Sequence, residues 1–501
     1  MLRDISRLEN KTFDLLIIGG GINGAAMAHL AAGAGASVAL IEKDDWASGA
    51  SSTSTKLLHG GIRYLEHFEF DLVIESLRER FIQLKSAPHL ARPLAFVIPV
   101  YRGDARPLWM MTIGVWLYQM LSGPWNLGKH RGLSLDEIQQ SAPGISRDGL
   151  VGGVEYFDAQ MNDARMCLEN VLMADKFGAV VANGVKAEEF IKIDGKAVGV
   201  KARDVMSGRV IEIRATKIIV AAGPWSDELI QKDHPGAPKR LRATKGAHVI
   251  YDGAPPSKGF LLQSRQDNRV FFMLPFQGRM LIGTTDTDYH GSLDDVVADE
   301  ADVQYLLKEA SRVFPSITFE RSKIISSFAG LRPLVADAGH PSRISRKHAI
   351  DVSRDGVYFL MGGKYTTYRA IAEEVVKKIL PQVARNVMSW RQFRLYGSGD
   401  EGVDVSSLAV RFGVQKETMD YLHGFYGSRV KDVLELTRKE ASLKEKICSC
   451  SPVIAAQVVY ARDVEMARNA EDVIKRRLGL AYVPCQGGAC RQAVEMMMKR
   501  K

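Results

Sequence analysis

Three glycines and one acid near the start of the chain have the types and spacing to do chemistry. Gly19, Gly21 and Gly24 fall in G-x-G-x-x-G order, and Glu42 lies eighteen residues beyond the last of them. In such a segment Gly19 makes a tight turn, Gly21 lets backbone approach a pyrophosphate, and Gly24 lets a helix pack close to a strand. The helix N-terminus then faces the negative charge. A carboxylate at Glu42 can accept both hydroxyls of a ribose, and it disfavours a 2′-phosphate. The elements needed to hold these residues are present: an apolar run from Phe13 to Ile18, a small-residue helix from Gly24 to about Gly33, and a second apolar run from Ser37 to Ile41. Strand, helix, strand and terminal acid together read as a site for an adenine dinucleotide. A tight glycine turn without a ligand is the bland alternative.

A second group lies at the other end. Four of the five cysteines sit in the tail, as Cys448-x-Cys450 and Cys485-x4-Cys490. In a reducing compartment such pairs read as metal or iron–sulfur ligands more readily than as a disulfide. Structural thiols are the alternative, and Cys167 reads as a packed helix residue.

A chain of 501 residues is too long for one ordinary core, so two or three domains are expected. The net charge of +9 suits an anionic substrate, an anionic membrane surface or nucleic acid. No arginine-rich tract or nucleic-acid motif is present, which argues against the last. The first twelve residues are polar and lack the apolar stretch of a secretory signal. With few cysteines, the reading is cytoplasmic. Leu108 to Gly128 carries no charge and holds Trp109, Trp116, Tyr118 and Trp125 between Arg102, Arg106, Lys129 and Arg131. It reads equally as a segment lying at a membrane interface or as a buried helix.

Further elements follow from pattern. Phe70 to Leu84 is an amphipathic helix and Leu94 to Tyr101 a strand. Asn162 caps a helix that runs towards Ala182. A strand meander from Lys186 to Ile219 ends in Ala221-Ala222-Gly223, where small residues let the chain return to the cofactor. Gly362-Gly363-Lys364 opens a helix from about Thr366 to Ile379, after a loop that follows Pro333. Beyond about residue 390 the pattern is helical.

An N-terminal fingerprint, an interrupting strand-rich region, a late Ala-Ala-Gly return and a C-terminal Gly-Gly-Lys strand–helix resemble the D-amino-acid-oxidase-like flavoproteins. Within them, STKLLHGGIRYLEHFEF (Ser54 to Phe70), KGAHVI (Lys245 to Ile250), LIGTTDTDY (Leu281 to Tyr289), GLRPL (Gly330 to Leu334) and GGKYTTYR (Gly362 to Arg369) resemble the FAD-dependent glycerol-3-phosphate dehydrogenases. The resemblance implies an α/β fold, a Rossmann-like FAD-binding domain interrupted by a mixed β-sheet substrate domain, with a small C-terminal helical domain. The expected division is 13–90, 183–240 and 326–385 for FAD, 91–182 and 241–325 for substrate, and 390–501 for the tail.

The resemblance also implies roles. Arg63, Tyr64, Arg332 and Lys364 surround the substrate phosphate, and Arg332 can stabilise a developing alkoxide. His248 takes the hydroxyl proton; His59 is the second candidate, expected near the flavin. FAD is expected against Gly19, Gly21, Gly24, Glu42, Ser51, Ser52, Ser54, Lys56, His59, Val185, Ala222, Gly223, Gly363, Lys364 and Thr366. The run around Cys448, Cys450, Cys485 and Cys490 resembles the tail of the anaerobic enzyme's catalytic subunit, which implies a [2Fe–2S] cluster. The implied reaction oxidises glycerol 3-phosphate and passes electrons to membrane quinone, directly or through a partner subunit. A homodimer, peripheral on the cytoplasmic membrane, is expected. An oxidase using O2 and a non-catalytic flavin-binding subunit are the rival readings.

Overall fold

The computed structural model of the chain describes residues 1, 3–335, 348–399 and 403–500. Two sheets form its body. The first is built on the parallel strands Val180–Asn183, Val38–Glu42, Thr12–Ile18, Val210–Val220 and Val357–Gly362, in that spatial order. Its central strands are buried on both faces, which is why they read as continuous apolar runs. Leu15 and Ile17 face a layer made by the helices Ile22–Gly33, Asp163–Lys176 and Tyr368–Ile379. Leu16 and Ile18 face the meander Val185–Ile193, Lys196–Asp204 and Val210–Val220, whose Phe190, Val200 and Ile213 close the other side.

The second sheet is mixed and has ten strands. Its seam is Leu241–Tyr251, paired along its whole length with Ile324–Val335 and over its second half with Arg279–Gly283. From there the order passes through Val270–Phe276 and Gly259–Gln263 to Ala91–Tyr101 and Leu150–Met161.

The pairing moves two expected boundaries. The strand Ile324–Val335 belongs to the second sheet, so that sheet runs to Val335 and not to 325. The segment 162–182 belongs to the first body, because the helix capped by Asn162 packs on Ile22–Gly33 and Val180–Asn183 pairs with Val38–Glu42. Ladder partners, which no local pattern encodes, decided both. The loop expected after Pro333 lies largely outside the described residues.

The segment from Leu108 forms the helix Leu108–Ser122, with Val115, Tyr118 and Ser122 buried. Its other face carries Trp109, Ile113, Trp116 and Met120, each more than half exposed, at helical spacing. Among the described residues, no helix is long and apolar enough to cross a membrane.

The tail forms the helices Val405–Phe412, Lys416–Tyr426, Val430–Lys439, Ala455–Asp463 and Gly488–Lys499 around a core of its own. Buried ion pairs fasten it to the first body: Arg477 to Asp45 at 2.7 Å and Glu465 to Arg165 at 2.6 Å.

Candidate active site

One cavity of about 740 Å³ joins the glycine turn to the second sheet. At its first end the backbone explains the fingerprint. Gly19 has φ +120°, and a Cβ there would stand 2.5 Å from the Ala221 carbonyl oxygen. A Cβ on Gly24 would stand 1.9 Å from the Gly19 carbonyl oxygen. The helix Ile22–Gly33 therefore starts against the strand end with no room for a side chain. Gly21 is its N-cap without a side-chain cap, and Ile22 N–H donates to Ser51 Oγ at 2.9 Å. Asn23 lines the cavity too, and its buried Oδ1 has no hydrogen-bond partner among the described residues.

Glu42 stands at the cavity wall. Its carboxylate accepts from Asp44 N–H at 2.8 Å and Gly20 N–H at 2.6 Å. Burial pushes the carboxyl up to about 7, and those two hydrogen bonds oppose the shift only in part. Val185, Ala222 and Gly223 line the same end. A glycine cradle, an orphaned buried acceptor and the carboxyl of Glu42 at the end of the neighbouring strand fit the adenosine and pyrophosphate of FAD.

Two expected cofactor residues do not face this cavity. Lys56 takes a left-handed backbone (φ 61°), which turns its ammonium inward to Asp163 at 2.7 Å. Ser52 is buried, and its carbonyl accepts from that same ammonium. Ser51 and Ser54 do line the cavity, though Ser54 Oγ also donates to Asp163 at 2.7 Å.

At the other end three cations from distant segments meet. Arg63 comes from the 3-10 turn Ile62–His67, Arg332 from the strand Ile324–Val335, and Lys364 from the turn after Val357–Gly362. Lys364 Nζ donates to Ser76 Oγ at 2.7 Å and lies 4.2 Å from the centre of the Tyr64 ring. Arg332 donates to Asp286 at 3.0 Å and Thr284 Oγ1 at 2.9 Å. Gly363, with φ +91°, and Thr366 complete the wall, and Thr366 Oγ1 accepts from His59 N–H at 3.2 Å. The helix itself begins at Tyr368, after a 3-10 turn, slightly later than its sequence suggests.

His248 stands on the strand Leu241–Tyr251, its ring stacked on Phe328 at 4.9 Å. Nε2 lies 3.0 Å from Thr55 Oγ1; Nδ1 is buried without a partner among the described residues. Burial, then the charges of Arg332 and Lys56, hold the imidazole well below its usual range, so it is neutral at pH 7. The arrangement can bind an anion with guanidinium and ammonium groups beside a neutral base.

In the tail, the sulfurs of Cys448, Cys450 and Cys485 all lie within 4.8 Å of one another, and Cys448 and Cys485 are 3.5 Å apart without a bond. Cys490 is fully buried, its Sγ 3.4 Å from the Gly487 carbonyl oxygen. Desolvation raises the Cys448 thiol to about 12. Cys167 is buried in its helix as expected.

Residues 14–378 match the family described as FAD dependent oxidoreductase, and residues 390–501 match the C-terminal domain of alpha-glycerophosphate oxidase. The chain belongs to the FAD-dependent glycerol-3-phosphate dehydrogenase family. It is 38% identical over 504 residues to a glycerol-3-phosphate dehydrogenase of Synechocystis, covering 96% of this chain and 91% of that one. It is 33% identical over 549 residues to an alpha-glycerophosphate oxidase of Streptococcus pyogenes, covering 94% and 89%. The glycerol-3-phosphate dehydrogenase from Bacillus halodurans complexed with FAD superposes with a TM-score of 0.79 at 30% identity, covering 95% and 88%.

Several lining residues escaped sequence reasoning. Asn23 is hidden among the variable positions of the fingerprint, and Thr55 in a run of small hydroxylated residues. Thr284 and Asp286 belong to the block LIGTTDTDY, yet only the second sheet's register brings them to Arg332.

Proposed function

We propose that this chain oxidises glycerol 3-phosphate to dihydroxyacetone phosphate. The observation that carries this reading is the meeting of Arg63, Arg332 and Lys364 with His248 in the cavity that holds the glycine cradle. Bound FAD supplies the hydride acceptor for the substrate's secondary carbon. The chain's own residues do the rest. Arg63 has no ion pair or hydrogen bond among the described residues, so its guanidinium is available for two phosphate oxygens. Lys364 adds a second charge, held in place by Ser76 and the Tyr64 ring. Arg332, aligned by Asp286 and Thr284, stabilises negative charge on the alcohol oxygen as its proton leaves. His248, neutral at pH 7, receives that proton at Nε2, since Nδ1 is sealed from the cavity.

The test is anaerobic addition of glycerol 3-phosphate to the FAD-loaded protein. Bleaching of the flavin absorbance is expected, and an unchanged spectrum refutes the reading. Reoxidation by a quinone and not by air separates the dehydrogenase from the oxidase.

The exposed stripe Trp109, Ile113, Trp116 and Met120 supports attachment to the cytoplasmic membrane surface, where electrons pass to quinone. The three gathered sulfurs, with Cys490 beside them in the tail's core, support a [2Fe–2S] cluster as an electron store. Anaerobically purified protein is then expected to hold about two iron atoms per chain, lost in Cys485→Ser. Iron-free wild type removes this part of the proposal and leaves the substrate reading intact.

A further inference from the structure

The base proposed above does not meet the cavity directly. His248 is buried, and its Nε2 lies 3.0 Å from Thr55 Oγ1. Thr55 is half-buried and lines the main cavity together with His248 and Arg332. A neutral imidazole that is to take a proton at Nε2 carries its own proton on Nδ1 and has a single lone pair on Nε2. Thr55 Oγ1–H donates into that lone pair. A substrate alcohol cannot bond to Nε2 while this hydrogen bond stands. A hydroxyl that donates keeps its own lone pairs, so Thr55 Oγ1 can still accept from the cavity side.

Both partners are held in place. Lys56 N–H donates to Ser54 Oγ at 3.0 Å, and Ser54 Oγ donates to Asp163 at 2.7 Å. The Lys56 ammonium pairs with the same carboxylate at 2.7 Å, and Met161 N–H donates to the Lys56 carbonyl oxygen at 2.9 Å. The residues on either side of Thr55 are thus pinned to one buried acid. Opposite, the His248 ring stacks on Phe328 at 4.9 Å, and a Cβ on Gly283 would stand 2.3 Å from its Cδ2. Packing of this kind fixes hydroxyl and imidazole relative to each other before any substrate arrives.

We propose that Thr55 is a catalytic residue that relays the alcohol proton to His248. The inference rests on the substrate reading above and on His248 as its base, and it gives the proton a path. The alcohol O–H bond breaks as its proton joins Thr55 Oγ1, and the original Thr55 O–H bond breaks as that proton joins His248 Nε2. The hydrogen on the secondary carbon leaves with its bonding electrons to the bound FAD, and the carbon–oxygen bond becomes double. Thr55 ends as a hydroxyl again, and His248 has gained one proton.

Thr55→Val keeps the branched shape and removes the hydroxyl. The FAD-loaded protein is mixed anaerobically with glycerol 3-phosphate in a stopped flow, and flavin bleaching is followed against substrate concentration. Thr55→Val is expected to lower the limiting rate by at least about tenfold. The substrate concentration that gives half of that rate is expected to change by less than about twofold, because the hydroxyl acts on the proton and not on the phosphate. Thr55→Ser returns the hydroxyl and is expected to recover the rate to within about threefold of wild type. Groups on one proton path do not lose activity additively, so Thr55→Val combined with His248→Ala is expected to be no more than about twofold slower than His248→Ala alone. A second readout needs no turnover. In substrate-free protein carrying histidine labelled in its ring nitrogens, the resonance of the unprotonated His248 nitrogen is identified by its absence from His248→Ala. That resonance is expected to move in Thr55→Val and to stay in Thr55→Ser. A smaller rate loss in Thr55→Val, no recovery in Thr55→Ser, a further loss in the double variant or an unmoved resonance overturns the relay. Bleaching at the wild-type rate in His248→Ala overturns the base assignment beneath it, and absence of bleaching in wild type overturns the substrate reading.

Discussion

Gly24→Ala tests the cradle most directly, because two opposed effects have known sizes. Alanine inside a helix is favoured over glycine by about 1 kcal/mol. Against that stands the Cβ position 1.9 Å from the Gly19 carbonyl oxygen, where ordinary contact begins at 3.4 Å. The helix start or the turn must give by the difference, about 1.5 Å. Neither is free to move. Gly19 N–H donates to Ile41 at 2.8 Å, Ala221 N–H donates to Ile18 at 2.8 Å, and Ile22 N–H is held by Ser51 Oγ. Overpacking of this kind costs about 1–3 kcal/mol, so the net effect on stability is destabilising by up to about 2 kcal/mol. The larger effect falls on FAD. A helix start displaced by that amount would deny a pyrophosphate bound there one N–H donor, and charge-assisted bonds contribute about 1.5–3 kcal/mol. FAD affinity is expected to fall roughly tenfold to a hundredfold. Flavin fluorescence titration of the apoprotein measures it, with thermal unfolding alongside. Gly424→Ala, an exposed helix position with open space, is the control and is expected to stabilise by about 0.5–1 kcal/mol. Unchanged FAD affinity and melting temperature in Gly24→Ala would refute the close-approach argument.

Arg63→Ala removes a guanidinium with no other partner among the described residues, and kcat/KM for glycerol 3-phosphate is expected to fall about 30- to 150-fold (about 2–3 kcal/mol) with FAD retained; a change under threefold would place the phosphate elsewhere. His29 is fully buried, its Nδ1 3.0 Å from Asn170 Oδ1, and burial lowers its pKa to about 4. The unfolded chain then binds more protons below pH 6.5, so stability is lost as pH falls from 6.5 towards 4. Denaturant melts should show about 2 kcal/mol of this loss between pH 7 and pH 5, absent in His29→Phe. Arg477→Met leaves Asp45 buried with Arg476 as its remaining cation, and is expected to cost about 3 kcal/mol by denaturant melts; a loss below 1 kcal/mol would show that Arg476 alone satisfies the carboxylate.

Much of the cofactor end was legible because its determinants are local. Gly19, Gly21, Gly24 and Glu42 act through backbone conformation and through their distance along one strand–helix–strand unit, and the structure keeps that unit intact. Lys56 shows the limit. Its type and neighbourhood suit a phosphate ligand, but a left-handed φ and a partner at Asp163, more than a hundred residues away, turn it away from the cavity. The segment from Leu108 was ambiguous for the same reason: its composition suits either environment, and only the packing of Val115 and Tyr118 leaves the tryptophans outside.

The sequence by itself determined the glycine turn, the acid that ends the second strand, the family blocks and the cysteine spacing, since each is a short-range pattern with a short-range physical cause. The tertiary structure alone decided that Arg63, Arg332, Lys364 and His248 share one cavity, that Asp286 aligns Arg332, and that Thr55 meets His248. Those facts depend on strand register and on which chain segments lie side by side. Contacts between residues hundreds of positions apart are fixed by the packing of whole layers, and no local spacing records them.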